Sequence, residues 1–168
     1  MSEESRESTK IPNRAQKLTE NIYVCRSGLL TETLYPADAR ALEELLSDTE
    51  FIINVGPRLN KINPGAKKAE CWDYALSNQE LVPTEYQKIL SKLESICTDM
   101  QGMLNCGGKM IIVCETGLNR AMLVALYYIF TRGLQVSDGV DVRGLCEKNT
   151  AMLSCFRCML RAVAPRAS

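Results

Sequence analysis

The stretch Lys109–Phe130, KMIIVCETGLNRAMLVALYYIF, decides both the fold and the chemistry expected of this chain. The apolar run Met110–Val113 predicts a short buried strand, and the longer run Ala121–Phe130 predicts an apolar helix. The loop between them holds Cys114 and Arg120, with a glycine between the two where the backbone must bend. A thiol and a guanidinium therefore flank a bend that leads directly into a helix N-terminus.

This loop can form a cradle for a phosphate-sized dianion. The following helix contributes the positive end of its dipole, and successive backbone N–H groups of the loop can point at the phosphoryl oxygens. The candidates to supply those N–H groups are Glu115, Thr116, Gly117, Leu118 and Asn119. Arg120 can bind two oxygens through its planar guanidinium, and the same positive field favours the thiolate form of Cys114. A thiolate at the floor of such a cradle can attack phosphorus and form a phosphocysteine.

The spacing between Cys114 and Arg120 is weak evidence without this context. Cys155 and Arg161 have the same spacing, but they lie in a continuous helical pattern that contains no glycine. That second pair predicts part of a helix rather than a loop around an anion. Cys155 and Cys158 also have the spacing of a redox or metal-binding CxxC motif, yet their apolar neighbours favour buried cysteines in a helix.

Composition excludes several kinds of function. Lys and Arg together number 20, as do Asp and Glu, so the zero net charge provides no basic field for nucleic acid or an anionic membrane. The chain has no histidine, which excludes a Ser-His-Asp triad, a Cys-His dyad and a histidine metal site. We expect no metal and no cofactor. The N-terminus lacks a signal core and no apolar run approaches the roughly 20 residues of a membrane span, so we expect a cytoplasmic protein with reduced cysteines.

Strands alternate with helices along the chain, which predicts an α/β fold with a central, mainly parallel sheet flanked by helices. Besides the central pair, strands are predicted at Asn21–Cys25, Phe51–Val55 and Trp72–Leu76, and helices from Pro36, from Thr84, and near 137–147 and 150–163. Residues 1–17 carry almost no apolar side chains and predict a flexible arm, through which a homodimer could form. Residues 18–168 are long enough for one domain.

The segment Val113–Ala121, VCETGLNRA, resembles the active-site motif of the cysteine-based protein tyrosine phosphatases, most closely their dual-specificity branch. That motif reads His-Cys, two residues, Ala-Gly, two residues, Arg-Ser/Thr. Further segments resemble the family's early strands and closing helix: NIYVCRS, FIINVG and EKNTAMLSCFRCML. The resemblance covers about residues 18–163 and implies a dual-specificity phosphatase-like fold, with Cys114 as nucleophile and Arg120 as phosphate clamp.

The motif departs from the family pattern at several positions. Val113 replaces the histidine that helps to position the loop and tune the thiol. Ala121 replaces the Ser/Thr whose hydroxyl assists breakdown of the phosphoenzyme, although the farnesylated PRL-type phosphatases also carry alanine there. Glu115 adds a carboxylate beside the anion pocket. These changes predict weakened catalysis in a recognisable pocket.

A further departure concerns the general acid, which the family supplies as an aspartate in the loop before the helix that starts here at Thr84. The matching stretch, ALSNQELVPTEY, places Ser77 or Asn78 at that position. Neither side chain can protonate a leaving oxygen as a carboxylic acid does, and loss of such a group costs about 10²–10⁴-fold in rate. Glu80 and Asp73 are the carboxylates that could replace it.

Three functions fit this sequence. The first is a tyrosine or dual-specificity phosphatase with weakened catalysis, acting on phosphotyrosine or phosphoserine/threonine of a protein. The second is a pseudophosphatase that binds phosphoprotein or serves as an interaction scaffold. The third is an RNA 5′-triphosphatase-like enzyme, a branch that shares the Gly-x-Asn-Arg sequence and needs no acid; the zero net charge and missing histidine argue against it. A purely structural interpretation would bury Cys114 and leave Arg120 at the surface, with no anion site.

Overall fold

The computed structural model describes residues 15–27, 30, 36–57, 69–74, 76, 86–114 and 119–142. These residues contain five strands and three helices. The strands are β1 (Ala15–Lys17), β2 (Ile22–Arg26), β3 (Thr49–Asn54), β4 (Glu70–Asp73) and β5 (Lys109–Cys114). The helices are α1 (Pro36–Leu46), α2 (Tyr86–Asn105) and α3 (Asn119–Thr131).

The strands form one sheet with the order β1-β2-β5-β3-β4. Strands β2, β5, β3 and β4 run parallel to one another, and β1 pairs antiparallel with β2 at one edge. Strand β5 therefore lies between two parallel neighbours, with Ile112 level with Val24 on one side and with Ile53 on the other. The mainly parallel α/β sheet expected from the sequence is confirmed.

Both faces of the sheet are covered by apolar side chains, as is usual for parallel sheets. Helix α1 covers one face through Leu42, Leu45 and Leu46, which pack with Ile52 and Val113 of the sheet. Helices α2 and α3 cover the opposite face, where they enclose a larger apolar cluster. Because side chains alternate along a strand, successive residues of β5 belong to different clusters.

Helix α3 has no polar face. Every residue from Arg120 to Ile129 is buried, which explains why this segment is apolar all round in the sequence. The helix follows β5 closely and packs against β2, β5 and α2. Its burial fixes the chain immediately after the loop between Cys114 and Arg120.

Helices α2 and α3 are joined by polar contacts centred on Glu94. The Tyr127 hydroxyl donates a hydrogen bond to one carboxylate oxygen of Glu94, and the Arg132 guanidinium lies 3.7 Å from the other. Burial, and then this hydrogen bond, raise the pKa of Tyr127, so the hydroxyl keeps the proton that it donates. These contacts tie the last turn of α3 to the middle of α2.

Two elements of the sheet differ from the sequence-based expectation. The strand expected at Trp72–Leu76 begins earlier, because β4 pairs in register with β3 from Glu70 to Asp73. Residues 15–17, assigned to the arm from the sequence, form β1 and pair with β2. A strand this short is held by backbone hydrogen bonds to its neighbour, so it leaves no apolar alternation that a sequence pattern could reveal.

Residues 137–141, where the sequence predicted the start of a helix near 137–147, are irregular, and the next residue, Val142, is helical. The Ser137 N–H donates to the Leu18 carbonyl at 2.8 Å, and Gly139 has a φ of +86°. A right-handed helix does not contain such a φ. Residues 137–141 therefore form a turn beside the loop between β1 and β2, and the expected helix start is wrong.

Several predicted features lie outside the described residues. They include residues 1–14 of the arm and the closing helix near 150–163 with its CxxC pair. Residues 15–17 belong to the sheet as β1. The rest of the predicted division, into an arm before residue 17 and a domain after it, stays a prediction. No helix in the described part of the chain is long and apolar enough to cross a membrane.

Gly108 has a backbone conformation that the turn before β5 requires. Its φ is +121°, and a Cβ placed there would lie 2.8 Å from Cγ of Glu50. We expect Gly108→Ala to lower the free energy of unfolding by about 1–3 kcal/mol, because the alanine would be both strained and crowded. Urea unfolding followed by circular dichroism measures this change.

Gly102→Ala provides the matched control, since Gly102 lies inside α2 with no atom within 4 Å of an added Cβ. Alanine is the better helix former, so this variant should be more stable than the original chain by about 0.5–1 kcal/mol. A loss of stability in Gly102→Ala, or none in Gly108→Ala, would contradict these backbone assignments.

Candidate active site

Three parallel strands end next to one another at the carboxyl edge of the sheet. The Ser27 N–H, directly after β2, donates to the Cys114 carbonyl at 2.8 Å, and the Val55 N–H, directly after β3, donates to the Val113 carbonyl at 2.9 Å. Cys114, the last residue of β5, is therefore held between its two neighbours. Open α/β sheets bind their ligands at this edge, outside the carboxyl ends of the strands.

The side chains of Cys114 and Val113 point to opposite faces of the sheet. Cys114 is fully buried in the cluster beneath α2 and α3, to which Ala121 also belongs. Val113 is fully buried in the cluster beneath α1. The two apolar replacements in the motif, Val113 and Ala121, thus lie in apolar surroundings, where a histidine or a hydroxyl would need a hydrogen-bond partner of its own.

Arg120, the second residue of α3, is almost completely buried, with 6% of its surface exposed. Its Nη1 group donates a hydrogen bond to the Leu76 carbonyl at 3.0 Å. No carboxylate in the described part of the chain forms an ion pair with it. Burial of a charge without an ionic partner costs several kcal/mol, so, as far as the described residues show, a bound oxyanion would stabilise this group. The interpretation that placed Arg120 at the surface is wrong.

The structure places both ends of the predicted phosphate-binding loop. Cys114 ends β5, and Asn119 is the first residue of α3, so the loop leads into a helix N-terminus. Residues 115–118, which would supply most of the backbone N–H groups, lie outside the described residues. The cradle of N–H groups therefore stays a prediction, whereas the strand before it and the helix after it are observed.

The segment after β4 reaches the guanidinium directly. Leu76 is 2% exposed, and its carbonyl accepts the hydrogen bond from Arg120. Ser77 and Asn78, the positions expected for the general acid, follow Leu76 at once and lie outside the described residues, as does Glu80. This contact could not be predicted from the sequence, because a backbone carbonyl is present at every residue and has no signature of residue type. It joins the residue directly before the expected general-acid positions to Arg120.

Asp73 is poorly placed to act as the general acid. It ends β4, which is separated from β5 by β3, and adjacent strands lie about 4.8 Å apart. Cys71 packs against the cluster beneath α1, so Asp73, at the next position of the same parity, points to that face as well. Cys114 points to the other face. The Asp73 carboxylate instead accepts a hydrogen bond of 2.8 Å from Asn54 Nδ2.

A second cysteine lies close to the site on β2. Cys25 is fully buried, and burial, followed by the nearby Cys114, raises the pKa of Cys25 well above that of an exposed thiol. It therefore stays a neutral thiol and packs as a small apolar side chain beneath α1. Among the described residues, no group of three His, Cys, Asp or Glu side chains could hold a metal ion.

Solved structures share this architecture. Human DUSP28 matches with a TM-score of 0.57 at 16% sequence identity, over 94% of this chain and 97% of that one. Tk-PTP in its active form matches with a TM-score of 0.53 at 14% identity, over 93% and 99% of the two chains. A TpbA variant from P. aeruginosa, solved with phosphotyrosine, matches with a TM-score of 0.53 at 15% identity, over 90% and 91%. Neither a protein-family model nor a curated protein sequence matches the chain.

The chain has the fold of the cysteine-based tyrosine and dual-specificity phosphatases. These matches cover most of this chain and most of each neighbour, and they confirm the fold expected from the motif resemblance. At such low sequence identity the match establishes architecture, and the function must be argued from the residues of the site.

The sequence patterns did not predict that a polar side chain, Asn54, would be buried near the site. Asn54 is fully buried at the end of β3. Its Nδ2 donates to the Pro57 carbonyl at 2.9 Å and to Asp73 Oδ1 at 2.8 Å, and its Oδ1 accepts the Gly56 N–H at 3.0 Å. The side chain thus holds the turn after β3 beside the carboxyl edge. The available signal was an asparagine within the apolar run FIINV, a position that requires its amide to be satisfied.

Asn54→Ala should lower the free energy of unfolding by about 2–4 kcal/mol, because it leaves the buried Gly56 N–H and its neighbours without their partners. Asp73→Ala is the control, since Asp73 is exposed and provides one of two acceptors for the same amide. We expect it to cost less than about 1 kcal/mol. Chemical denaturation measures both, and equal losses would show that Asn54 does not hold this turn.

Proposed function

We propose that this chain is a phosphatase of the tyrosine or dual-specificity type, with Cys114 as nucleophile and Arg120 as phosphate clamp. The observation that carries the proposal is the buried Arg120 guanidinium at the start of α3, which donates to a backbone carbonyl and forms no ion pair with a carboxylate of the described residues. A phosphoryl dianion matches both the charge and the planar donor geometry of this group. The phosphatase fold of the neighbours supports the same assignment.

The proposed reaction has two steps at one phosphorus atom. The Cys114 thiolate attacks the phosphoryl group, so that a P–S bond forms while the P–O bond to the leaving group breaks. Water then attacks the phosphocysteine, the P–S bond breaks, and inorganic phosphate leaves with the thiolate restored. Arg120 and the N-terminus of α3 stabilise the negative charge on the phosphoryl oxygens in both steps.

We infer that the first step is slow when the leaving group is poor. Ser77 and Asn78 cannot donate a proton as a carboxylic acid does. Asp73 points to the face opposite Cys114 and is held by Asn54. The departing oxygen would therefore take its proton from water, at a cost of about 10²–10⁴-fold in rate.

The proposed substrate is a phosphorylated side chain of another protein, and phosphotyrosine is favoured over phosphoserine or phosphothreonine. The phenol of tyrosine has a pKa of about 10, so it leaves without an acid far more readily than an aliphatic alkoxide. A structural neighbour, the TpbA variant, was solved with phosphotyrosine. Both considerations point to an aryl phosphate monoester.

The alternative is a protein that binds phosphoprotein without efficient turnover. It is favoured by the complete burial of Cys114 and by the orientation of Asp73 away from it. Both functions use the same clamp and differ in the chemistry that follows binding. Measuring affinity for inorganic phosphate separately from turnover therefore distinguishes them.

Cys114→Ser should abolish hydrolysis of p-nitrophenyl phosphate while inorganic phosphate still binds, because the clamp remains and the nucleophile is lost. Arg120→Lys should weaken phosphate binding by about tenfold to 100-fold, since lysine cannot form the bidentate contact. Absorbance assays measure turnover, and isothermal titration calorimetry measures phosphate affinity. Hydrolysis that persists in Cys114→Ser would eliminate the thiolate mechanism, whereas phosphate binding without any turnover in the original chain would establish the alternative.

The chain offers a matched control for both substitutions. Cys155 and Arg161 have the same spacing as the proposed catalytic pair, but their sequence context predicts a helix without a phosphate loop. Cys155→Ser and Arg161→Lys should therefore retain turnover and phosphate affinity. If these variants lose activity to the same extent as the first pair, the assignment to Cys114 and Arg120 is wrong.

The dependence of rate on the leaving group tests the missing acid. Across a series of aryl phosphates, kcat/KM should fall steeply as the pKa of the leaving phenol rises, because no protein group donates a proton. Asn78→Asp should raise the rates of the poorest leaving groups, by up to about 10²–10⁴-fold. Steady-state kinetics at a fixed pH provide both results.

Two carboxylate variants serve as controls for that series. Asp73→Asn should leave the slope unchanged, since Asp73 points away from Cys114. Glu80→Gln should leave it unchanged as well, since the inference assigns no proton donor to the protein. A flat dependence on the leaving group that becomes steep in either variant would identify that residue as the proton donor and overturn the inference.

A further inference from the structure

An arginine lies beside the candidate nucleophile on the neighbouring strand. Arg26, the last residue of β2, is level with Cys114, the last residue of β5, in the parallel pair that these two strands form. Adjacent strands of a sheet lie about 4.8 Å apart. The hydrogen bond of 2.8 Å from the Ser27 N–H to the Cys114 carbonyl holds the two strand ends in this register. The backbone of Arg26 is therefore directly next to that of Cys114.

The Arg26 side chain points to the same face of the sheet as Cys114. Along β2, Val24 belongs to the cluster beneath α2 and α3, whereas Cys25 belongs to the cluster beneath α1. Because successive side chains of a strand alternate between the two faces, Arg26 returns to the face of Val24. Cys114 belongs to that face as well. Strand β2 thus places a cation at the edge and on the face where the proposed reaction takes place.

Arg26 and Arg120 lie at different depths. Arg26 is exposed, although the other four residues of β2 are buried. Arg120 is 6% exposed and donates its hydrogen bond to the Leu76 carbonyl. Within the described ranges of the chain, no carboxylate forms an ion pair with Arg26. The Arg26 guanidinium can therefore bind an anion from solution without losing an ion pair to the described residues.

The charge of Arg26 is local and does not belong to a general basic surface. Lys and Arg together number 20, as do Asp and Glu, so the chain as a whole attracts neither acidic nor basic partners. A preference for an acidic substrate must then come from individual side chains near the site. An arginine guanidinium matches a carboxylate well, because it can form two parallel hydrogen bonds with it.

We propose that Arg26 is a specificity-determining residue that binds a carboxylate of the substrate protein, on an Asp or Glu next to the phosphotyrosine in sequence. This inference rests on the proposed function, because Arg120 must hold the phosphoryl group that brings the neighbouring carboxylate to Arg26. Arg120 binds the group that all phosphotyrosine substrates share, and Arg26 distinguishes among these substrates. Since Arg26 is exposed, its ion pair with the substrate should tighten binding by about twofold to fivefold.

Two phosphotyrosine peptides of equal length test this assignment. One peptide has Glu on both sides of the phosphotyrosine, and the other has Gln at the same two positions. Isothermal titration calorimetry with the full-length Cys114→Ser variant measures both affinities without turnover. The Glu peptide should bind about twofold to fivefold more tightly at about 0.1 M salt. This ratio should approach one at about 1 M salt, where the Debye length is about 3 Å. Equal affinities at the lower salt concentration would overturn the proposal.

Substitutions of Arg26 in the same background locate the preference. Arg26→Gln should bring the ratio of the two affinities to about one, and Arg26→Glu should invert it, because a carboxylate at this position repels the Glu peptide. Arg26→Lys keeps the charge and should keep part of the preference.

Arg40→Gln is the matched control. It removes an exposed arginine from α1, the helix that covers the face opposite Cys114, and it should leave the ratio of the two affinities unchanged. A preference that persists in Arg26→Gln, or that Arg40→Gln removes to the same extent, would show that Arg26 does not bind the carboxylate.

Inorganic phosphate separates this inference from the proposed function. If phosphate does not bind to the original chain, the proposed function fails, and the role of Arg26 fails with it. If phosphate binds but the two peptides bind equally well, the proposed clamp stands and only the role of Arg26 is wrong. An inositol bisphosphate that binds more tightly than the Glu peptide, with a gain that Arg26→Gln removes, would assign the second anion to a phosphorylated inositol and would overturn the proposed protein carboxylate.

Discussion

The position of β5 between two parallel strands is the constraint on which the site depends. Hydrogen bonds to β2 on one side and β3 on the other fix its register, so Cys114 reaches the carboxyl edge at a defined height. Helices cover both faces of the sheet, and the chain that leaves β5 returns along one face as α3. The thiol, the helix N-terminus and Arg120 are thus brought to one edge by the topology of the sheet.

Buried polar groups mark this edge as different from the rest of the core. Among the described residues, the buried polar or charged side chains are Thr49, Asn54 and Arg120. The Thr49 hydroxyl donates a hydrogen bond to the Leu45 carbonyl at 2.8 Å. Asn54 and Arg120 both lie at the carboxyl edge, where each bonds to backbone of a neighbouring segment. Asn54 is paired at both ends of its amide and so supports the turn after β3, whereas the described acceptor of Arg120 is a single backbone carbonyl. Of the two, Arg120 is the group whose burial a bound oxyanion would offset, as the proposed function requires.

The elements that could be predicted from sequence were those with a strong apolar pattern. Strand β5 and helix α3 are continuous apolar runs, and burial on all sides explains why their assignment held. Strand β1 depends on backbone pairing, and the limits of β4 depend on its register with β3, so neither could be derived from side-chain periodicity. The pair Cys114 and Arg120 could be proposed from the sequence because residue type, glycine and helix start coincide, and the structure places the two residues at the end of β5 and the start of α3. Contacts made by a backbone carbonyl have no such signature, which is why Leu76 was missed.

Helix α3 is apolar on all sides, so it would bury about the same apolar area at many angles of rotation about its own axis. Apolar burial alone therefore does not determine which way the helix is turned. A turn by one residue position, about 100°, would keep its apolar surface buried but separate its polar contacts. Those contacts lie at its two ends, from Arg120 to the Leu76 carbonyl and from Tyr127 and Arg132 to Glu94. Tyr127 is seven residues from Arg120, or about 10 Å along the axis. The contacts with Glu94 of α2 therefore fix the rotation of α3 about its axis, and this rotation directs the Arg120 guanidinium, at the other end of the helix, toward the carboxyl edge of the sheet.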